Sequence, residues 1–128
     1  MRENGGGAEG REIWTLNREL VVIRPKDPFV EWVHRVDRTG KPPEAEWIRS
    51  TSTSFLIPQF EFPDESWEWV EENCSMIFEL ELGDWFVDEE TWPSDRSWDV
   101  FREWFEIEHI DTIWDLIDEP LSSDVPEN

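Results

Sequence analysis

The sequence predicts an α+β fold: a single domain with a small, mostly antiparallel sheet backed by two or three helices. Three observations carry this expectation. Short apolar runs at residues 20–23 and 55–57 are bounded by Pro25 and Pro58. Apolar residues recur at helical spacing behind Asp27-Pro28 and behind Pro63-Asp64. In a late stretch, residues 104–118, Phe105 and Ile107 alternate with Glu106 and Glu108. A chain of 128 residues with ten Trp and eight Phe is long enough for one core, since each aromatic side chain buries roughly 150–250 Å².

The domain is expected over residues 17–120, between a Gly- and charge-rich tail at 1–16 and a second tail at 121–128. Leu20-Val21-Val22-Ile23 is a buried strand, bounded by Asn17-Arg18 and Pro25. Asp27 then caps a helix with Pro28 in its first turn, and Phe29, Trp32, Val33 and Val36 line one face. Residues 38–43 form a loop, and Phe55-Leu56-Ile57 a second strand stopped by Pro58. A helix over 65–82 carries Trp67, Val70, Cys74, Ile77 and Phe78 on one stripe, with Gly83 as its stop. Ser94 or Asp95 caps a short helix holding Trp98, Phe101 and Phe105. In 104–118, Ile107, Ile110, Trp114 and Ile117 also fit a helix. The β-branched content favours a hairpin of 104–109 with 112–118.

The segments Arg24-Pro25-Lys26-Asp27-Pro28-Phe29, Phe55-Leu56-Ile57-Pro58, Asp88-Glu89-Glu90-Thr91-Trp92-Pro93, Phe101-Arg102-Glu103-Trp104-Phe105 and Asp115-Leu116-Ile117-Asp118-Glu119-Pro120 together resemble a family of small, acidic, uncharacterised bacterial proteins. The resemblance covers most of the chain from Asn17. It implies a compact bacterial cytoplasmic domain and carries no activity.

The charge is segregated. Residues 1–60 hold nine acidic and nine basic side chains, whereas 61–119 hold twenty-one acidic ones and only Arg96 and Arg102. Most of the tryptophans lie in the acidic block. Such a field repels polyanions and attracts cations, so nucleic acid and anionic membranes are excluded as partners and a basic protein is favoured. A salt-loving source is the plain alternative, but it would spread acid over both halves. Cys74 is the one cysteine, so no intrachain disulfide forms. The first residues lack the apolar run of a secretory signal, and no stretch approaches the length of a membrane span, so a cytoplasmic protein is expected.

Candidate sites follow from this surface. Trp69, Met76 and Leu80 form a second apolar stripe on the 65–82 helix, with Glu68, Glu72 and Glu79 between the stripes. They are either core on both sides or a docking face with a charged rim. Trp85 and Trp92 stand in the acidic segment 84–93 and can pin it to the core, clamp an arginine, or hold a small ligand with Asp84, Asp88, Glu89 and His109. Arg18, Arg24 and Lys26 are the candidate anion or self-association patch, which admits a homo-oligomer. Neither His34 nor His109 has metal-binding spacing, and no EF-hand, P-loop, dinucleotide or nucleophile motif is present. No catalytic residue, cofactor or metal is therefore assigned. Cys74 reads as a small buried hydrophobe, and Asp115 as an exposed strand residue. The expected function is a non-enzymatic acidic module for a basic protein, with a small-ligand domain or enzyme and a self-associating structural protein as alternatives.

Overall fold

The structure, a computed structural model, describes residues 13–123. The tail assignments for 1–12 and 124–128 lie outside the described residues. The chain runs from a two-residue strand, β1 (Trp14–Thr15), into the central strand β2 (Arg18–Pro25) and then helix α1 (Asp27–Val36). A short helix α2 (Ala45–Ser50) precedes strand β3 (Thr53–Pro58). Two helices, α3 (Pro63–Glu72) and α4 (Cys74–Trp85), are followed by a 3₁₀ turn at Glu89–Thr91 and helix α5 (Trp98–Trp104). Strands β4 (Phe105–Ile110) and β5 (Trp114–Asp115) complete the order.

β2 lies between β3 and β4, antiparallel to both. The register puts Val21 opposite Phe55 and His109, and Ile23 opposite Thr53 and Ile107. Because side chains alternate across a strand, Val21, Ile23, Ile57 and Phe105 share one face. That face meets the helices. Its core continues through Phe29, Val30, Trp32 and Val33 of α1, Ile48 of α2, Val70 of α3, Cys74, Ile77, Phe78 and Leu82 of α4, and Phe101 of α5. Phe105 stands at the junction, with ring centroids 5.1 Å from Phe29, 5.3 Å from Phe78 and 5.0 Å from Phe101. The opposite face carries Arg24, Leu56 and Glu108 towards solvent, as antiparallel sheets allow.

Several local expectations are corrected. Lys26 occupies the N-cap position of α1 without a side-chain cap bond, and Asp27 is the first helical residue, where its carboxylate accepts from Arg49 at 2.9 Å. The predicted 65–82 helix is two helices, interrupted at Asn73, whose side-chain amide donates to the Trp69 carbonyl. Asparagine competes for backbone partners in this way. Gly83 does not stop α4, which continues to Trp85. Residues 104–118 hold two strands but no hairpin: Trp104 ends α5, β4 pairs with β2, and the two-residue β5 turns away to pair with β1. Trp14–Thr15, read as tail, thereby form a strand.

Gly83 faces the Trp92 ring, where an added Cβ would meet its nearest atom at 3.5 Å, an ordinary contact. Glycine inside a helix costs about 0.5–1 kcal/mol relative to alanine. Gly83→Ala is therefore expected to raise stability by about that amount, read in a denaturant melt.

Candidate functional site

A cleft lies where α2, the start of β3 and the end of α4 meet. It has a volume of about 240 Å³ and is lined by Trp47, Thr51, Ser52, Thr53, Glu81, Asp84 and Trp85. Glu81, Asp84 and Trp85 stand at i, i+3 and i+4 on α4, so the helix presents all three together. Trp85 is anchored behind by Phe29, at 6.1 Å and edge-on, and meets Trp47 in front at 5.7 Å and 74°. Trp47 itself is 59% exposed.

Glu81 is only 7% exposed. Burial pushes its carboxyl up to about 7, against a hydrogen bond from the Thr53 side chain and with help from the Asp84 charge. Near neutral pH it is thus poised between carboxyl and carboxylate. A group with such a shift, in a cleft with two indole rings, has the properties of a binding site. The reason it lies there is local: four residues beyond Ile77 and three beyond Phe78, it continues their buried face of α4.

A second buried carboxyl, Glu19, lies at the other end of the sheet and is 3% exposed. Its Oε1 accepts from Ser66 Oγ at 2.6 Å and is 2.8 Å from His109 Nε2, and its Oε2 accepts from the Phe60 backbone N–H at 2.9 Å. Serine and histidine both converge on the carboxylate. Nucleophilic catalysis needs histidine between the hydroxyl and the acid, so this cluster ties β2, β4 and α3 together and does not activate Ser66.

The residues singled out in the sequence divide. Glu68, Glu72, Met76 and Leu80 are exposed. Trp69 packs on the core, and Glu79 is paired with Arg96 at 3.0 Å, which also donates to the Pro93 carbonyl. Trp92 packs on the core with its indole N–H donating to the Phe86 carbonyl at 2.8 Å, while Trp32 donates to the Thr91 carbonyl. These bonds pin the acidic segment. A broader groove of about 660 Å³ beside it is lined by Val36, Arg38, Trp85, Phe86, Val87 and Asp88 among others. Asp84 belongs to the Glu81 cleft and Asp88 to this groove, whereas His109 sits beside Glu19.

Arg18, Arg24 and Lys26 do not form one patch. Arg18 and Arg24 are six residues apart on β2, about 20 Å. Arg24 pairs with Glu108, and Lys26 donates to the Arg102 carbonyl. Cys74 is buried, and its thiol is raised by that burial and by the Glu71 charge. Among the described residues no group of three or more His, Cys, Asp or Glu is arranged to hold a metal ion, and no helix is long and apolar enough to cross a membrane. Compared with known proteins, the chain matches no family model, no curated sequence and no solved structure.

Proposed function

We propose that this protein is a non-enzymatic, cytoplasmic interaction module whose acidic half binds a basic protein. One observation carries the reading. The only two arginines of residues 61–119 are already committed, Arg96 to Glu79 and Arg102 to Asp99. The surrounding carboxylates, apart from Glu108 with Arg24, have no ion-pair partner among the described residues. An uncompensated field of this kind accelerates encounter with cations and selects against anions. Along α3 and α4, Glu68, Glu72, Met76 and Leu80 recur every four residues and stay exposed. They combine a charged rim with apolar contact area. Trp69 and Trp92 are occupied by the core and do not serve as anchors.

The test is binding of a deca-arginine peptide by stopped-flow fluorescence at several salt concentrations. The double variant Glu68→Gln/Glu72→Gln is expected to lower the low-salt association rate about three- to tenfold. A control of equal charge change, Glu103→Gln/Glu106→Gln, is expected to change it less. Equal effects, or an association insensitive to salt, would overturn the assignment of this face.

A further inference from the structure

We infer that the Trp47–Glu81–Trp85 cleft receives the guanidinium group of an arginine side chain presented by the basic partner. The inference rests on the preceding reading and gives it a defined seat.

Three properties of the cleft point to a guanidinium. Its size is one: about 240 Å³ leaves room for a planar four-heavy-atom group and the methylenes behind it. Its walls are another. The rings of Trp47 and Trp85 stand at 74° to one another, so a planar cation can stack on one while meeting the edge of the other. Cations are drawn to indole faces, and guanidinium more often than ammonium. The third is its polar complement. Glu81 and Asp84 supply carboxyl oxygens one helical turn apart, acceptors suited to the N–H donors of arginine, and Thr51, Ser52 and Thr53 complete a polar lining.

The same arrangement couples binding to a proton. The titrating groups that line the cleft are Glu81 and Asp84, both from α4. α2, β3 and the link between them contribute Trp47 and the three hydroxyl residues, and the one basic residue of α2, Arg49, is held by Asp27 outside the cleft. In the free protein, burial and the Asp84 charge keep a proton on Glu81 up to about neutral pH. An entering guanidinium favours the carboxylate, so that proton leaves as the cation arrives. Affinity rises with pH between 6 and 8, about tenfold per unit at most, where general attraction to an acidic surface would stay nearly flat.

The experiment titrates the full chain with N-acetyl-arginine amide, following the Trp47 and Trp85 indole N–H signals by NMR and proton release by calorimetry in two buffers. Expected are shifts of both signals, release of a proton at pH 7, and about tenfold weaker binding in Glu81→Gln and in Trp47→Ala. Trp47 is largely exposed, so its variant tests the cleft without threatening the fold. Unmoved indole signals, unchanged affinity in both variants, or equal binding of N-acetyl-lysine amide would overturn the guanidinium seat. The two proposals separate cleanly. Deca-arginine binding that ignores Trp47→Ala overturns the cleft and leaves the acidic face standing. Cleft binding of the arginine amide without salt-dependent deca-arginine binding supports the cleft and overturns the broader reading.

Discussion

Glu19→Ala is expected to lower the stability of the fold by about 3–5 kcal/mol, read as a fall in the urea midpoint with little change in slope. Glu19 is almost fully buried, yet each carboxylate oxygen is engaged. Removing it strands the buried Ser66 hydroxyl, frees the partly buried Phe60 N–H and leaves His109 without its partner. An unsatisfied buried donor costs more than the net value of the bond it made. The pH dependence follows from the same contacts. Burial alone would raise the Glu19 carboxyl, but hydrogen bonds from Ser66, Phe60 and His109, with the His109 charge, hold it below its ordinary value. A depressed carboxylate contributes stability that is present above the unfolded pKa, 4.5, and is lost as pH falls through the folded one. Glu19→Ala is expected to abolish that part of the acid transition.

Glu81→Gln acts with the opposite sign. The folded carboxyl is raised from 4.5 to about 7, so the native state holds the proton more tightly than the unfolded chain. Its contribution is complete below 4.5 and is lost as pH rises through 7, a change of about 3 kcal/mol. The glutamine variant has no such slope. It is expected to match the parent near pH 4.5 and to exceed it by up to about 3 kcal/mol at pH 8, measured by urea unfolding at both pH values. The two buried carboxyls therefore bracket the stability profile: one withdraws support on the acid side, the other on the neutral side. The maximum is expected near pH 4.5–5, close to the sequence pI of 4.2, where self-repulsion is also least.

Both carboxyls were legible as anomalies in the pattern, although neither was singled out. Glu19 stands at period two with Val21 and Ile23, and Glu81 continues the buried face of Ile77 and Phe78. An acid on an apolar face is easily read as the end of the element, and nothing in the spacing shows that Ser66, Phe60 or Thr53 will arrive to satisfy it. β2, β3, α1 and the fold class follow from periodicity and proline. The break at Asn73 is hidden because the apolar stripe runs through it in phase. The false hairpin has a different origin. Alternation identifies a strand but not its neighbour, and sequence adjacency suggested the nearest partner, whereas β2 has an edge that β4 fills. α2 escaped because six residues with one buried side chain, Ile48, make too little periodicity. For Trp92 the sequence leaves pinning, an arginine clamp and a ligand contact open; packing on the core, with the indole N–H spent on the Phe86 carbonyl, decides for pinning.

The placement of β2 between β3 and β4 also orders events during synthesis. Translation delivers β2, α1 and β3 early, but the residues that finish the core, Phe101 and Phe105, and the second neighbour of the central strand arrive only after α4, with α5 and β4. Until then a nascent chain carries Val21-Val22-Ile23 on a strand with one open edge, a template for pairing with other chains. Closing β4 onto β2, and β5 onto β1, brings together segments from the two ends of the described chain, so the entropic cost of a long loop falls at a single late step. The fold is thus assembled around its last strands, and on the ribosome the protein remains exposed to chaperones and misassembly until they emerge.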